Sequence, residues 1–346
     1  MRALVLGGAG FIGLHLVRRL VADGHAVTVV DDFSRGRDDA ELAQVCADPA
    51  VEVVAGDLTR AATWAALPRQ WDQVYLLAAV VGVRNVEADP ARVVRINTLV
   101  ALHLMDWIAA ADRVFFSSTS EVYAGAVDAA VAAVPTGEDV PAMVADVTAP
   151  RFAYATSKLL GEAAVLHGSR AVGAHAVVGR FHNVYGPRMG TDHVVPEMSL
   201  RALRGEDPFR VPGADQYRAF CYADDAVEAV VRLMATPDAA GRIVHIGDDT
   251  EQTNIADLAK LVLRTAGSHA SLRPEPAPAG SVHRRCPDLG RLRRLTGYQP
   301  AVALEEGVGR TFTWYRDHGR PAGTEAPTPP GAGAPDRIEG QVPSWR

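Results

Sequence analysis

Tyr154 and Lys158 stand four residues apart in the run Tyr154-Ala-Thr-Ser-Lys158. On a helix that spacing puts both side chains on one face, where they can enter one cleft. An ammonium beside a phenol favours the phenolate, lowering a pKa that is ordinarily about 10, and a phenolate can take a proton from a hydroxyl near neutral pH. Upstream, Ser118-Thr-Ser-Glu-Val-Tyr123 offers hydroxyls at Thr119 and Ser120 and a carboxylate at Glu121. That set does more than a simple alcohol oxidation requires. A Tyr/Lys pair at this spacing is also a common surface pair, so its meaning depends on the elements that carry it.

Those elements alternate. Residues 3–6 form a short apolar strand, and residues 11–22 have helical periodicity ending near Gly24. Between them runs Gly7-Gly-Ala-Gly-Phe-Ile-Gly13, which contains G-x-G-x-x-G through Gly8, Gly10 and Gly13 and a wider spacing through Gly7, Gly10 and Gly13. Glycines there permit a tight turn and bring the backbone close to a pyrophosphate at a helix N-terminus, where free N–H groups and the dipole favour an anion. Residues 26–30 make a second strand ending in Asp31-Asp32, whose carboxylates suit ribose hydroxyls and disfavour a 2′-phosphate. Arg35 and Arg37 nearby keep a phosphorylated dinucleotide open. Further strands are expected at 51–54, before Gly56-Asp57-Leu58, and at 73–77, leading into Ala78-Ala79-Val80-Val81. A long helix over 90–110, with Asn97 near its middle, and a strand at 112–117 then deliver the Ser118–Tyr123 segment. Such alternation predicts a doubly wound parallel sheet, with ligands beyond the strand C-termini. Asp57 is placed to hold an adenine amino group.

With 346 residues the chain can form a large α/β domain with a smaller lobe. A net charge of −6 argues against general nucleic-acid affinity, although local arginines can still bind a small anion. Cys46, Cys221 and Cys286 are widely spaced and lack metal-ligand spacing, which suggests a reduced, cytoplasmic protein with no metal site. The apolar run after Met1-Arg2 is broken by glycines and closed by Arg18-Arg19, so it reads as strand, loop and helix, not as a leader. No stretch has the length and apolarity of a membrane span.

Taken together, these motifs, with Phe181-His-Asn-Val-Tyr-Gly-Pro-Arg188, resemble the extended short-chain dehydrogenase/reductase family in its nucleotide-sugar epimerase, dehydratase and decarboxylase branch. The resemblance runs over roughly residues 1–318. It implies a Rossmann domain over 1–183 with a return strand near 243–246, and a smaller sugar-nucleotide lobe mainly over 184–318. The Pro/Gly-rich stretch 319–346 reads as a disordered tail, with Trp345 as its one docking hint. The implied cofactor is NAD, reduced and reoxidised within one cycle. Its contacts fall on Gly7, Gly10, Phe11, Ile12, Gly13, Asp31, Asp32, Ser34, Arg35, Asp57, Leu58, Leu77, Ala78 and Ala79, with Tyr154 and Lys158. Substrate contacts fall on Val81, Arg84, Glu121, Asn183, Val195, Arg218 and Arg285, and a homodimer is implied through the 90–110 helix and the one starting near Tyr154. Arg284, Arg291, Arg293 and Arg294 read as a solvated helix face. The Ala/Val-rich segment 124–134 is a lid loop or a short helix.

Members of this branch begin alike: the tyrosine takes the C4 hydroxyl proton as hydride leaves C4, giving a 4-keto sugar. The groups around Thr119 decide the fate of that ketone. A dehydratase commonly has Asp-Glu after the threonine, and here the Asp position is Ser120. Thr119-Ser120-Glu121 is the pattern of UDP-glucuronate decarboxylases and of GDP-mannose 4,6-dehydratases, and Gly186-Pro-Arg-Met189 and Gln216-Tyr-Arg-Ala-Phe220 lean towards the decarboxylases. Arg218 is then placed to stabilise an enolate or position a proton-donating water, which puts Thr119, Ser120, Glu121, Tyr154, Lys158 and Arg218 in the catalytic set. Departures from that group are Ala124 after Val-Tyr, Arg151-Phe-Ala ahead of Tyr154, His182 before Asn183, and Val81-Gly-Val-Arg84 without its proline. Arg84 meets a substrate group or merely starts a helix. UDP-glucuronate decarboxylation leads, with UDP-uronate 4-epimerisation and nucleotide-sugar 4,6-dehydration as alternatives. A non-catalytic NAD(P)-sensing regulator on the same fold is disfavoured by the intact Tyr/Lys pair.

Overall fold

The computed structural model describes residues 1–36, 39–109, 112–277 and 281–319 of the chain. Arg37 and the segment from 320 onward, with Trp345, lie outside the described residues, so the readings made of them stay with the sequence.

Seven strands form one parallel sheet: β1 (Arg2–Leu6), β2 (Ala26–Asp31), β3 (Val51–Ala55), β4 (Gln73–Leu76), β5 (Arg113–Thr119), β6 (His175–Phe181) and β7 (Ile243–Ile246). Their order is β7-β6-β5-β4-β1-β2-β3. The order reverses beside β1, where β2 lies on one side and β4 on the other, and a doubly wound sheet opens a crevice at that point. Inner strand β1 and the 114–116 part of β5 read as unbroken apolar runs because helices cover both faces, and β5 ends in hydroxyl residues where it meets the cleft. Leu4, Leu6, Val74 and Phe116 are buried on one side of the sheet, and Val5, Tyr75 and Phe115 on the other. Burying each such side chain stabilises the fold by about 1.5–3 kcal/mol.

Three helices matter for the site: α1 (Phe11–Ala22), α2 (Pro90–Trp107) and α3 (Phe152–Val172). Asp89 caps α2 through the Arg92 amide, Pro90 occupies its first turn, and Gly173 ends α3 in the left-handed conformation. Asn97, buried in the middle of α2, accepts from Val80 N–H at 2.7 Å and donates to Val80 C=O at 3.1 Å. It also donates to Ser157 Oγ of α3 at 3.2 Å, so a satisfied buried amide ties two helices to the loop after β4. Gly161 lets α3 approach the sheet; a Cβ there would sit 2.4 Å from the Phe116 ring.

The second lobe has its own core, with Phe209, Val211, Leu258, Val262 and Val308 fully buried. Tyr217–Ala219 pairs there with Gln252–Asn254 and with Arg284–Arg285. The interleaving is finer than a boundary at residue 183. Besides β7, the helix Ala223–Ala235 returns to the first core through Ala226, Val230 and Leu233, and Leu289, Leu292 and Tyr298 do the same. The segment after Tyr123 forms a short helix, Ala124–Asp128.

Candidate active site

The strand C-termini open onto a cleft of 1240 Å³ running between the two lobes. In its first half the chain's backbone is the working surface. Gly7 has a φ of +90°, and a Cβ on it would lie 2.5 Å from the Ala78 nitrogen. A Cβ on Gly13 would lie 2.2 Å from the Gly7 carbonyl oxygen, so the turn closes against the first turn of α1. The opening N–H groups of α1 have no partner within the helix and carry its positive dipole end, which fits a pyrophosphate. Arg188 Nη1 donates to the carbonyls of Ala9 at 2.7 Å and Gly10 at 3.2 Å, and a trans peptide sets the Phe11 N–H opposite that Gly10 carbonyl.

Carboxylates from the next two strands complete this half. Asp31 accepts from the Ala9 amide at 3.0 Å and the Phe33 amide at 2.9 Å. Burial pushes its pKa up against those amides. Asp32 accepts from the amide and hydroxyl of Ser34, and Asp57 from those of Thr59. An ionised carboxylate has roughly four acceptor positions, so these turns leave capacity facing the cleft. Arg35 reaches across and donates to the Val81 carbonyl.

In the second half, side chains from distant segments meet. Tyr154 is in the first turn of α3, and Lys158 comes one turn later, buried, donating from Nζ to the Ser117 carbonyl at 2.8 Å. Its ammonium lies 5.0 Å from the Phe116 ring centre and 5.9 Å from that of Tyr154. Burial pushes Lys158 down to about 7, against the pull of the Glu162 carboxylate. The phenol of Tyr154 is pushed well above its ordinary value, first by burial and then by Glu121, while Arg35 and a hydrogen bond with Thr119 act the other way. The expected lowering of the phenol by its lysine neighbour is therefore not realised in this state: Lys158 directs a hydrogen bond to a backbone carbonyl, and desolvation outweighs its influence. Thr119 ends β5 and accepts the Glu121 amide, opening a 3₁₀ turn over Ser120–Tyr123.

Glu121 meets Arg285 Nη1 at 2.6 Å. Burial alone would raise its carboxyl, but Arg285, followed by Arg151 and Arg218, holds it below the ordinary value, as a carboxylate. Arg285 and Arg218 are register partners on adjacent strands, and like charges directly opposite are destabilising. Burial, then Arg285, pushes Arg218 down to about 10. Two guanidiniums side by side, only one of them paired with a carboxylate, form a site for further anionic groups.

A model of the NAD dependent epimerase/dehydratase family matches residues 3–247. The chain belongs to that family. It is 31% identical over 318 residues to a UDP-glucuronic acid decarboxylase 1 of Xenopus tropicalis, covering 91% of this chain and 72% of that protein. It is 30% identical over 326 residues to a UDP-N-acetyl-alpha-D-glucosaminuronate decarboxylase of Bacillus cytotoxicus, covering 91% and 98%. Among solved structures it is similar to a dTDP-glucose 4,6-dehydratase from Streptomyces venezuelae with NAD bound. The TM-score is 0.80 at 29% identity, over 92% of this chain and 98% of that one. The chain is an NAD-dependent enzyme of this family, and the turn around Gly7 and Gly13 with the Asp31 carboxylate fits that cofactor.

Every site position expected from the sequence lines this family cleft except Arg84 and Val195. Arg84 is the second residue of the short helix Val83–Ala88, 74% exposed and paired with Asp192 at 3.0 Å, so the helix-start reading of it holds. Val195 is 1% exposed in the second lobe's core, because the opening of the helix Val194–Leu203 turns its apolar side inward. Arg291 and Arg293 are not simply solvated: they bridge to Asp139 and to Asp249, whereas Arg294 is exposed. Arg284 donates to Gln252.

Arg188 and Arg151 also line the cleft, and sequence reasoning gave neither a role. Both lay inside quoted motifs, and Arg151 precedes Tyr154 by one turn, which was the available signal. Beneath the cleft, Glu162 and Arg180 form a buried ion pair at 2.5 Å, with the Ser118 hydroxyl donating to Glu162. His182 packs edge-on against His245 at 4.5 Å, held neutral by burial and by the nearby His245, Arg285 and Arg180.

Proposed function

We propose that the enzyme decarboxylates UDP-glucuronate through a transient 4-keto intermediate. The observation that carries this reading is the state of Glu121, a carboxylate held by Arg285 at 2.6 Å beside Ser120. A dehydratase with Asp-Glu after the threonine takes its acid from the position of Ser120, and neither a serine hydroxyl nor an ionised Glu121 supplies it; dehydratases of the Thr-Ser-Glu kind are told apart by the mass of the product. The decarboxylases among its relatives support the same choice.

In this mechanism Tyr154, hydrogen-bonded to Thr119, faces the C4 hydroxyl and takes its proton. Bound NAD supplies the acceptor of the C4 hydride, its later donor, and a positive ring charge that favours the phenolate. The 4-keto uronate is a β-keto acid. Its C5–C6 bond breaks, carbon dioxide leaves, and the electron pair spreads onto the C4 oxygen as an enolate. Arg218 stabilises that oxygen's charge or positions the water that protonates C5, with Ser120 and Glu121 shaping this side. Tyr154 then gives its proton back to the C4 oxygen, which restores the phenol for the next cycle. Lys158, bonded to the Ser117 carbonyl, sets the field under Tyr154. Asn183, with Nδ2 on the Ala219 carbonyl at 3.1 Å, and Arg285 hold the nucleotide diphosphate side.

We further place the enzyme in the cytoplasm as a homodimer. Cys221 and Cys286 are buried free thiols, and Val94 on α2 and Leu160 on α3 are exposed apolar residues on the helices that would meet. Light scattering tests the dimer. For the reaction, the protein is incubated with UDP-glucuronate and NAD and the products are tracked by mass spectrometry and NMR. Loss of the mass of carbon dioxide is expected. An unchanged mass with inverted C4 would replace this reading with uronate 4-epimerisation, and loss of water would replace it with dehydration.

A further inference from the structure

The cleft's arginines are not equally occupied. Arg285 is paired with Glu121, and Arg188 holds Asp39 and the glycine turn. Arg218 spends its Nη1 on the carbonyls of Tyr217 at 2.8 Å and His283 at 3.3 Å, and its Nη2 on Gln216 at 3.1 Å. Arg151 differs. It lines the cleft half-buried, and among the described residues its guanidinium has no hydrogen-bond acceptor or ion-pair partner. Its contact is with the Phe152 ring, at 4.9 Å from guanidinium carbon to ring centre. It is close enough to Glu121 to lower that carboxyl, yet Glu121 is committed to Arg285.

Position sharpens the point. Arg151 stands at the N-terminal boundary of α3 three residues before Tyr154, a spacing that puts the two side chains on one helix face. If Tyr154 faces the C4 hydroxyl, a group two bonds from C4 on the ring's C5 side falls within reach of a long side chain anchored one turn away. In a uronate that group is the C6 carboxylate. A planar guanidinium with free donors matches a carboxylate bidentately, and a half-buried cation without a partner has the most to gain from one.

We propose that Arg151 is the specificity-determining residue that receives the C6 carboxylate of the sugar. The assignment rests on the decarboxylase reading and deepens it by naming which side chain selects a uronate over a neutral hexose. Arg151 acts on binding. A carboxylate held by two hydrogen bonds is stabilised in the ground state, so the cation contributes to KM more than to the step in which carbon dioxide leaves.

The test uses the full chain with NAD and two probes that differ at C6 alone, UDP-glucuronate and UDP-glucose, with binding measured by calorimetry. The wild type is expected to favour UDP-glucuronate. Arg151→Gln should weaken UDP-glucuronate about 10–100-fold, the scale of a lost hydrogen bond to a charged group, while UDP-glucose changes much less. Arg151→Lys keeps the charge and loses the fork, and should fall between. In turnover, Arg151→Gln should raise KM more than it lowers kcat. A UDP-glucose affinity close to wild type reports that the variant's cleft is intact, and if Arg151→Gln fails to fold, Arg151→Lys carries the comparison. If the variants discriminate as well as the wild type does, the assignment of Arg151 is overturned and the decarboxylase reading stands. If the wild type itself prefers UDP-glucose, both fall.

Discussion

The two halves of the cleft are built from different materials. The cofactor half is made of backbone: a glycine turn pressed against β4 and α1, with carboxylates that cap turns within a few residues of themselves. The substrate half is made of side chains whose partners are far away in sequence, such as Glu121 with Arg285 and Lys158 with the Ser117 carbonyl. A dinucleotide's pyrophosphate is met by N–H groups that every residue owns, so shape decides. A reacting sugar needs charges of chosen sign at chosen places, and those must be assembled by folding. The cofactor half should therefore be sensitive to added volume, and the substrate half to lost charge or lost hydroxyls.

The largest effect should come from Tyr154→Phe. Removing the phenol hydroxyl should lower kcat by about 10²–10⁴, the range of a positioned acid–base group, while NAD binding measured by fluorescence is retained. Turnover within a few-fold of wild type would mean that the proton is handled elsewhere. Gly13→Ala tests the other half. A Cβ 2.2 Å from the Gly7 carbonyl cannot be accommodated without moving the turn, so the variant should lose about 1–3 kcal/mol of stability and most of its NAD affinity. Asp32→Asn in the same half should do much less to NAD binding, because its turn with Ser34 survives as an amide; the reverse ranking would break the comparison.

A smaller effect, with a defined sign, is expected of Arg285→Gln. Glu121 sits below the ordinary carboxylate range, chiefly because Arg285 outweighs burial. The stability this provides is present above the ordinary pKa of about 4.3 and is lost as pH falls through the lower folded value. Without Arg285 the carboxyl rises, so the acid limb of kcat/KM should move to higher pH, with about a tenfold loss near neutrality. An unmoved limb would show that Glu121 does not depend on this partner.

The same division explains what could be read from the sequence. Strands β1 to β5 and β7 and helix α1 were legible because local apolar runs, periodicity and glycine spacing specify them, and α1 falls on residues 11–22 as expected. The positions expected to meet the cofactor line the cleft because they follow strand ends. Val195, expected at the substrate, is buried in the second lobe's core, because its short helix could place either of two adjacent valines inward and the core took this one. Arg84 stayed ambiguous because nothing local reveals Asp192 as its partner. Arg291 and Arg293 looked like a solvated face because Asp139 and Asp249 are distant in the chain.

By itself the sequence determined six of the seven strands, the glycine turn and the shared helix face of Tyr154 and Lys158, since these depend on spacing within one element. The tertiary structure decided the charges. It buried Lys158 and partly buried Tyr154, so desolvation overrode their proximity, and it brought Arg285 to Glu121, which keeps that carboxyl ionised. It also left the Arg151 guanidinium without a hydrogen-bond or ion-pair partner among the described residues, half-buried one turn before Tyr154. Protonation states arise from burial and from neighbours far away in the chain, and neither is a property of a motif.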